Sequence, residues 1–175
     1  MKKIILTTLI PFFLSCSSDE TEQLDSNFNL DGYYKIESMI SNELVDLNND
    51  TILNNDLKEE IPNYFNTVSY DLIVKTLSEN DPFEYLFGIY LPFPNEYIYL
   101  GTLNYGRAAI FKRFNTENHS IIINEYNKNT ELDISLDKIT VVENNIKMKI
   151  FEKFYDFKTE KWKILDVKIS FTKIN

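Results

Sequence analysis

Alternation of apolar and polar residues in the last third of the chain limits the folds that it can adopt. Ile146, Met148 and Ile150 alternate with lysines, and the same period recurs at residues 132–137 and 167–172. Successive side chains of a strand point to opposite faces, so this pattern indicates strands with one buried and one exposed face. Such strands are typical of an antiparallel sheet with one side in water.

Runs of β-branched and aromatic residues, separated by Asn, Asp, Pro and Gly, predict ten strands. They cover residues 33–40, 68–75, 85–91, 97–103, 108–114, 120–126, 131–136, 138–143, 146–157 and 162–173. Helical segments are too few for the crossovers of a parallel α/β sheet. The sequence therefore predicts an all-β fold, a small antiparallel up-and-down barrel that closes on itself and so removes its sheet edges.

One short helix is predicted, at residues 56–65. Leu57, Ile61 and Tyr64 would share one face of it. Pro62 limits the helix to a turn or two, because proline lacks an N–H and clashes with the preceding turn.

The first residues have the features of an export signal. Lys2 and Lys3 precede an apolar run at residues 4–14, and Ser15 stands before Cys16. The run is about half of the roughly 20 residues that a membrane-spanning helix needs, so it indicates a secretory signal.

Residues 13–16, with the sequence FLSC, resemble the lipobox of bacterial lipoproteins, in which the cysteine is lipidated and becomes the mature N-terminus. The resemblance implies a signal peptide at residues 1–15 and a lipid anchor on Cys16. Residues 16–29 are polar and acidic and predict a flexible tether. The acidic residues after the cysteine resemble the surface-export signal of Bacteroidota lipoproteins. The expected location is the outer membrane, with the cell surface and the periplasmic face both open.

Composition excludes several classes of function. The chain has 18 basic and 27 acidic residues, a net charge of −9, which argues against a nucleic-acid partner. A single cysteine excludes an internal disulfide, and a single histidine, His119, excludes a multi-histidine zinc site. Gly101 and Gly106 have the spacing of a phosphate loop but lack its Lys and Ser or Thr, so they predict a hairpin turn. No catalytic residue is predicted, and the chain is not expected to be an enzyme.

Two segments resemble the lipocalin-like domains of Bacteroidota lipoproteins. Residues 30–36, LDGYYKI, lie where those domains open their first strand with Gly-x-Trp, and Tyr34 stands in place of the Trp. Residues 45–51, VDLNNDT, resemble the family's Asp-Leu-Asn-Gly-Asp-Gly loop, which precedes a short acidic helix, here residues 55–60. The resemblance implies a small up-and-down barrel at residues 30–175.

The same loop has the donor pattern of half a calcium site. Asp46, Asn48 and Asp50 place oxygen-bearing side chains at every second position, and such oxygens suit a hard cation. Thr51 stands where a calcium loop prefers Gly. The alternative is a connector held by side-chain-to-backbone hydrogen bonds. Calcium is the only cofactor that the sequence suggests.

Two predicted strands, residues 85–91 and 97–103, are apolar or aromatic on both faces. A second apolar face must be covered by another part of the chain, by a partner or by a ligand. The alternative is that its tyrosines lie at the edge of the barrel with their hydroxyls in solvent. Tyr97, Tyr99 and Trp162 are therefore the candidate ligand-binding residues.

Charge is uneven along the chain. Residues 138–175 hold nine lysines and five acids, although the whole chain is acidic. Lysines in the polar phase of strands discourage edge pairing and solvate the outer wall. A patch for a partner or for lipid headgroups is the alternative.

These patterns predict a lipid-anchored, non-catalytic protein that binds a small hydrophobic or extended ligand. The alternative is an accessory subunit that docks a membrane protein through its aromatic strands. A binding barrel should have a cavity lined by inward aromatic residues. A docking subunit should have a filled core and an exposed apolar patch, and a hydrolase two facing carboxyl groups with unlike pKa values.

Overall fold

The computed structural model describes residues 29–78, 81–117, 120–123, 134–142 and 145–174. Four sequence predictions lie outside or almost outside these ranges: the signal peptide at residues 1–15, the lipidated Cys16, the tether at residues 16–29 and His119.

The described residues form nine strands and two short helices. In chain order these are β1 (Gly32–Val45), β2 (Asn54–Asp56), α1 (Leu57–Glu60), α2 (Pro62–Thr67), β3 (Leu72–Ser78), β4 (Asp81–Tyr99), β5 (Thr102–Glu117), β6 (Ser120–Ile123), β7 (Ile134–Val142), β8 (Asn145–Asp156) and β9 (Lys161–Ile174). The strand order in the sheet is β2-β1-β3-β4-β5-β6-β7-β8-β9, with antiparallel neighbours and a further pairing of β1 with β9. The prediction of an antiparallel β fold is confirmed.

The sheet curls into a half-barrel that stays open beside β1. β1 pairs with β9 from Tyr33 to Ser41. On its other edge it pairs with β3 only at Gly32, Tyr33 and Tyr34. β3 begins at Leu72, opposite Tyr34, so this edge of β1 has no β3 partner beyond Tyr34; the barrel is open, and the prediction of a closed barrel is wrong. We call the gap between β1 and β3 the seam.

Asp71 extends the hydrogen bonding of β1 past the point where β3 leaves it. Its N–H donates to the Tyr34 carbonyl (2.8 Å), and its carboxylate Oδ2 accepts the Ile36 N–H (2.8 Å). Its own carbonyl accepts the Tyr90 N–H from β4 (2.7 Å). Asp71 is fully buried, and without it the Ile36 N–H would lack this acceptor.

The rest of the free edge of β1 is paired through the segment between β1 and β3. Lys58 Nζ donates to the Ile36 carbonyl (3.3 Å) and the Glu37 carbonyl (3.0 Å), beside a register shift in the pairing with β9. Farther along, β2 pairs with Ile40 and Val45. The seam is therefore hydrogen-bonded without a full-length neighbouring strand, which protects an edge that would otherwise be free.

The predicted helix at residues 56–65 is two helices that fill the seam. The Asp56 side chain caps α1 by accepting the Lys58 N–H (3.0 Å). The break at Ile61 precedes Pro62, which begins α2. The predicted apolar face is confirmed, because Leu57, Ile61 and Tyr64 are all buried in the main core together with Phe65.

The core lies inside the curled sheet. Ile146, Met148 and Ile150 are buried and their lysine neighbours face outward, so the predicted alternation is confirmed. The largest fully buried side chains come from β1, β4, β5, β8 and β9 and are Tyr34, Phe87, Phe114, Phe154 and Phe171.

One predicted strand is wrong because it contains a turn. β4 runs for 19 residues through Pro92 and Pro94, and the chain reverses at Leu100 and Gly101, where φ is +51° and +75°. Residues 97–103 are therefore the tip of the β4–β5 hairpin. Gly101 lies in this turn as predicted, whereas Gly106 lies within β5.

Other boundaries shift for local reasons. β3 begins at Leu72 instead of residue 68, because the preceding residue, Asp71, bonds to β1 through its side chain at the seam. The described parts of the strands predicted at residues 131–136 and 138–143, residues 134–136 and 138–142, belong to one strand, β7, whose pairing with β8 shifts register around Asp137. A β-bulge resembles a strand break in sequence, because it interrupts the alternation.

Replacing Asp71 tests the seam. We expect Asp71→Ala to lower the free energy of unfolding by about 1–3 kcal/mol, because it leaves the buried Ile36 N–H without an acceptor. Asp71→Asn keeps an acceptor oxygen in place and should cost much less. Urea denaturation of the full chain measures both, and equal losses in the two variants would contradict this role.

Candidate functional site

The distal end is the end of the half-barrel opposite to the start of β1. Antiparallel strands bring together there the loop after β1 (residues 46–53), α2, the β4–β5 tip and the β8–β9 turn. Asn49 Nδ2 donates to the Gly101 carbonyl (2.8 Å), and the Phe157 N–H donates to the Asp46 carbonyl (2.8 Å). These bonds join the loop to both hairpins.

The proposed calcium ligands are occupied by hydrogen bonds within the loop. Asp46, which is buried, accepts the N–H groups of Asp50 (3.2 Å) and Thr51 (3.0 Å). Asn48 Oδ1 accepts the Asp50 N–H (3.0 Å), and Asp50 Oδ1 accepts the Ile52 N–H (2.8 Å). This is the geometry expected of the alternative, a self-supported connector. Among the described residues no group of three or more His, Cys, Asp or Glu could hold a metal ion. Calcium binding stays a prediction.

A cavity of about 360 Å³ opens at the distal end between α2 and the β4–β5 hairpin. We call it the mouth. Its lining is Leu47, Asn48, Glu60, Ile61, Pro62, Asn63, Tyr64, Thr67, Leu103, Asn104 and Tyr105. Its volume is in the range of small-molecule sites, and its mixture of apolar walls with a few polar groups is typical of them.

Two buried hydroxyls that line the mouth, and one buried carboxyl group near them, lack hydrogen-bond partners. The hydroxyls of Tyr64 and Tyr105 and both carboxyl oxygens of Glu152 are inaccessible to solvent and unpaired. Burial raises the pKa of each group, and the Glu152 carboxyl adds to the rise in both tyrosines. Burial thus favours the protonated form of the Glu152 carboxyl, and the two phenols are neutral donors. Each unpaired group costs about 1–3 kcal/mol unless water or a ligand pairs with it.

Glu60 adds a titratable group to the wall of the mouth. Its Oε2 accepts the Leu47 N–H (2.7 Å), which favours the charged form. Burial favours the neutral form more strongly than this bond favours the charged form. The negative charges of Asp50 and Asp46 also favour the neutral form, so the pKa of Glu60 is raised to about 7. The mouth therefore changes charge near neutral pH.

The candidate ligand-binding residues lie outside the mouth lining. Tyr97 and Tyr99 are 86% and 70% exposed on the β4–β5 tip, beside Leu100 at 85%. Trp162 belongs to another cluster, with its ring 5.4 Å from Tyr155 and Lys153 Nζ 5.3 Å from its centroid.

Sequence reasoning missed Tyr64, Tyr105 and Glu152 as site residues, and it considered Glu60 only as a further carboxylate for the proposed calcium loop. Glu152 had a usable signal, because it stands in the buried phase of β8 between Ile150 and Phe154. A carboxyl group in an apolar phase is rare unless it is paired or functional.

No protein-family model, curated protein or solved structure matches the chain. Among the described residues no helix is long and apolar enough to cross a membrane.

Asp46→Ala separates the two interpretations of the loop. We expect the variant to lose about 1–3 kcal/mol of unfolding free energy in the presence of a chelator, because the Thr51 N–H loses its acceptor and the Asp50 N–H loses one of its two acceptors. Chemical denaturation with and without millimolar Ca²⁺ measures this. A loss that occurs only when Ca²⁺ is present would show instead that the carboxylate is a metal ligand.

Glu60 should make stability depend on pH. Its pKa of about 7 in the folded protein exceeds the ordinary value of 4.5, so its stabilising contribution is complete below pH 4.5 and is lost as pH rises through 7. The decline from this group is at most about 1.4 kcal/mol per pH unit. Glu60→Gln, which keeps an acceptor for the Leu47 N–H, should flatten the profile measured by urea denaturation between pH 5 and pH 8. The exposed Glu59→Gln is the control, and equal slopes in both variants would refute the assignment.

Proposed function

We propose that this protein is an outer-membrane lipoprotein, anchored through Cys16, whose lipocalin-like half-barrel binds a small, mainly apolar ligand at the mouth without catalysis. The observation that carries the proposal is the cavity between α2 and the β4–β5 hairpin, with unpaired buried hydroxyls in its lining. Lipocalin-type barrels hold a small ligand in their interior; here core side chains fill the interior, and the cavity lies at the distal end instead.

The lining indicates the chemistry of the ligand. Leu47, Ile61 and Leu103 offer apolar contact, whereas Tyr64 and Tyr105 offer neutral donors. A ligand with an apolar body and an acceptor oxygen would pair with these hydroxyls and remove the penalty of leaving them unsatisfied. Glu60 disfavours an anionic group beside it above pH 7.

Exposed apolar residues favour a second function, docking of a membrane protein partner. Tyr97, Tyr99 and Leu100 stand at the β4–β5 tip, and Ile52 on the neighbouring loop is 65% exposed. Exposed apolar residues that gather at one end of a domain mark interaction surfaces more often than scattered ones do. Partner capture that depends on Tyr97 and Tyr99 but not on the mouth would select this function.

Native mass spectrometry of the full chain, purified from its own membrane, tests the leading proposal. We expect a mass that fits cleavage before Cys16 with acylation, and a further non-covalent adduct. Asn104→Trp should abolish the adduct, because Asn104 is exposed and lines the mouth, so a large ring there fills the cavity without disturbing the core. Asn66→Trp is the matched control, since Asn66 is exposed on α2 and is not part of the lining.

Three outcomes would contradict the proposal. If the wild-type protein carries no adduct, it does not bind a ligand in its own membrane. If the adduct is equally abundant in both tryptophan variants, the ligand binds elsewhere than at the mouth. An unmodified Cys16 would remove the anchor.

A further inference from the structure

Three lysines stand side by side across the outer face of the sheet. Lys138 on β7 pairs directly with Lys149 on β8, and Lys149 pairs directly with Lys168 on β9. Directly opposed residues of neighbouring strands have Cβ atoms about 4.5–5.5 Å apart, and like charges placed there destabilise a sheet. A chain with a net charge of −9 therefore concentrates positive charge at an energetic cost.

The next row across the same strands adds a fourth lysine and hydroxyl groups. Thr140 pairs with Lys147, Lys147 with Ser170, and Ser170 with Ser38 on β1. The Ser38 and Ser170 hydroxyls lie 2.6 Å apart and are hydrogen-bonded to each other. The two rows together form one polar surface across four strands, which we call the lysine rows.

The lysine rows border a concave space. A groove of about 770 Å³ is lined by all four lysines, by the three hydroxyl residues and by Ile40 at its apolar side. Register shifts flank it, at Glu37 in β1 and at Asp137 in β7. Bulges bend strands and redirect side chains, which accounts for a groove on the outer face of a curled sheet.

The groove keeps a net positive charge, although three carboxylates lie in or beside it. Lys149 bridges to Asp137 (3.3 Å) and Asp166 (3.1 Å). Within the described part of the chain, Lys138, Lys147 and Lys168 have no ion pair. The Glu37 carboxylate also lines the groove and accepts the Thr172 hydroxyl (3.0 Å). Three unpaired cations thus face the groove together with one carboxylate.

We propose that the lysine rows bind an acidic oligosaccharide, a chain-like ligand with sulfate or carboxylate groups. Lys138 and Lys168 lie two strands apart, about 10 Å at the usual strand spacing, so an extended anion can contact both. The serine and threonine hydroxyls offer hydrogen bonds to sugar hydroxyls and anionic oxygens. This site is on the wall of the half-barrel and is separate from the mouth.

The shape and composition of the groove favour this ligand over two other polyanions. A membrane surface needs only positive charge, whereas this open groove also presents the hydroxyl groups of Ser38, Thr140 and Ser170, which suit the hydroxyls of a sugar. Single-stranded nucleic acid is bound by aromatic side chains on which bases stack, and the described residues that line the groove include no aromatic ring.

Calorimetric titration of the full chain in phosphatidylcholine nanodiscs tests the proposal, with a sulfated heparin-type hexasaccharide as the probe and neutral maltohexaose as the comparison. We expect the sulfated probe alone to bind. Lys138→Gln combined with Lys168→Gln should raise its Kd at least tenfold and reduce the slope of log Kd against log salt by about 1.5, because two charge contacts are lost. Lys158→Gln combined with Lys161→Gln removes the same charge from exposed positions outside the groove and should change Kd less than twofold.

The outcomes that would overturn the proposal are distinct. Equal losses of affinity for the sulfated hexasaccharide in the two double variants would show a general charge effect. Binding of maltohexaose would show that the site does not require anionic groups on the ligand. If phosphatidylglycerol in the nanodisc protects Lys138 and Lys168 from acetylation while the hexasaccharide does not bind, the surface belongs to the membrane.

Discussion

The free edge of β1 is the constraint on which the structure depends. β9 occupies one edge of this strand, but β3 leaves the other edge after Tyr34. Buried or unpaired backbone groups are costly, so the chain must supply substitutes. The Asp71 carboxylate, Lys58 Nζ and the short strand β2 do so. The seam that results makes room for α1 and α2, and the space between α2 and the β4–β5 hairpin is the mouth.

Buried carboxyl groups give the interior of the half-barrel its chemical character. Glu60, Asp71 and Glu152 all have raised pKa values, and burial is the largest cause in each. Asp71 offsets its burial with the Ile36 N–H, whereas Glu152 has no protein partner among the described residues. An interior that accepts such groups without pairing all of them is suited to a polar ligand or to ordered water. The outer face of the sheet differs from this interior, because most of its charged groups are lysines that reach the solvent.

Local patterns in the sequence predict much of the fold. The alternation of β8 and β9 and the apolar face of residues 56–65 follow from residue order alone, and the structure bears them out. The open seam does not follow, because it depends on the bond between Asp71 and Ile36, which are 35 residues apart. The mouth likewise depends on α2 meeting a hairpin from another part of the chain. The lysine rows need the strand register, which places Lys138, Lys149 and Lys168 side by side and which no local pattern contains.

A crystal structure of the protein purified from its own membrane would show whether the mouth holds a ligand. We expect a non-protein molecule between α2 and the β4–β5 hairpin, with one of its acceptor atoms within hydrogen-bonding distance of Tyr64 Oη or Tyr105 Oη. A hairpin collapsed onto α2, with both hydroxyls bonded to protein groups and no space between them, would contradict it.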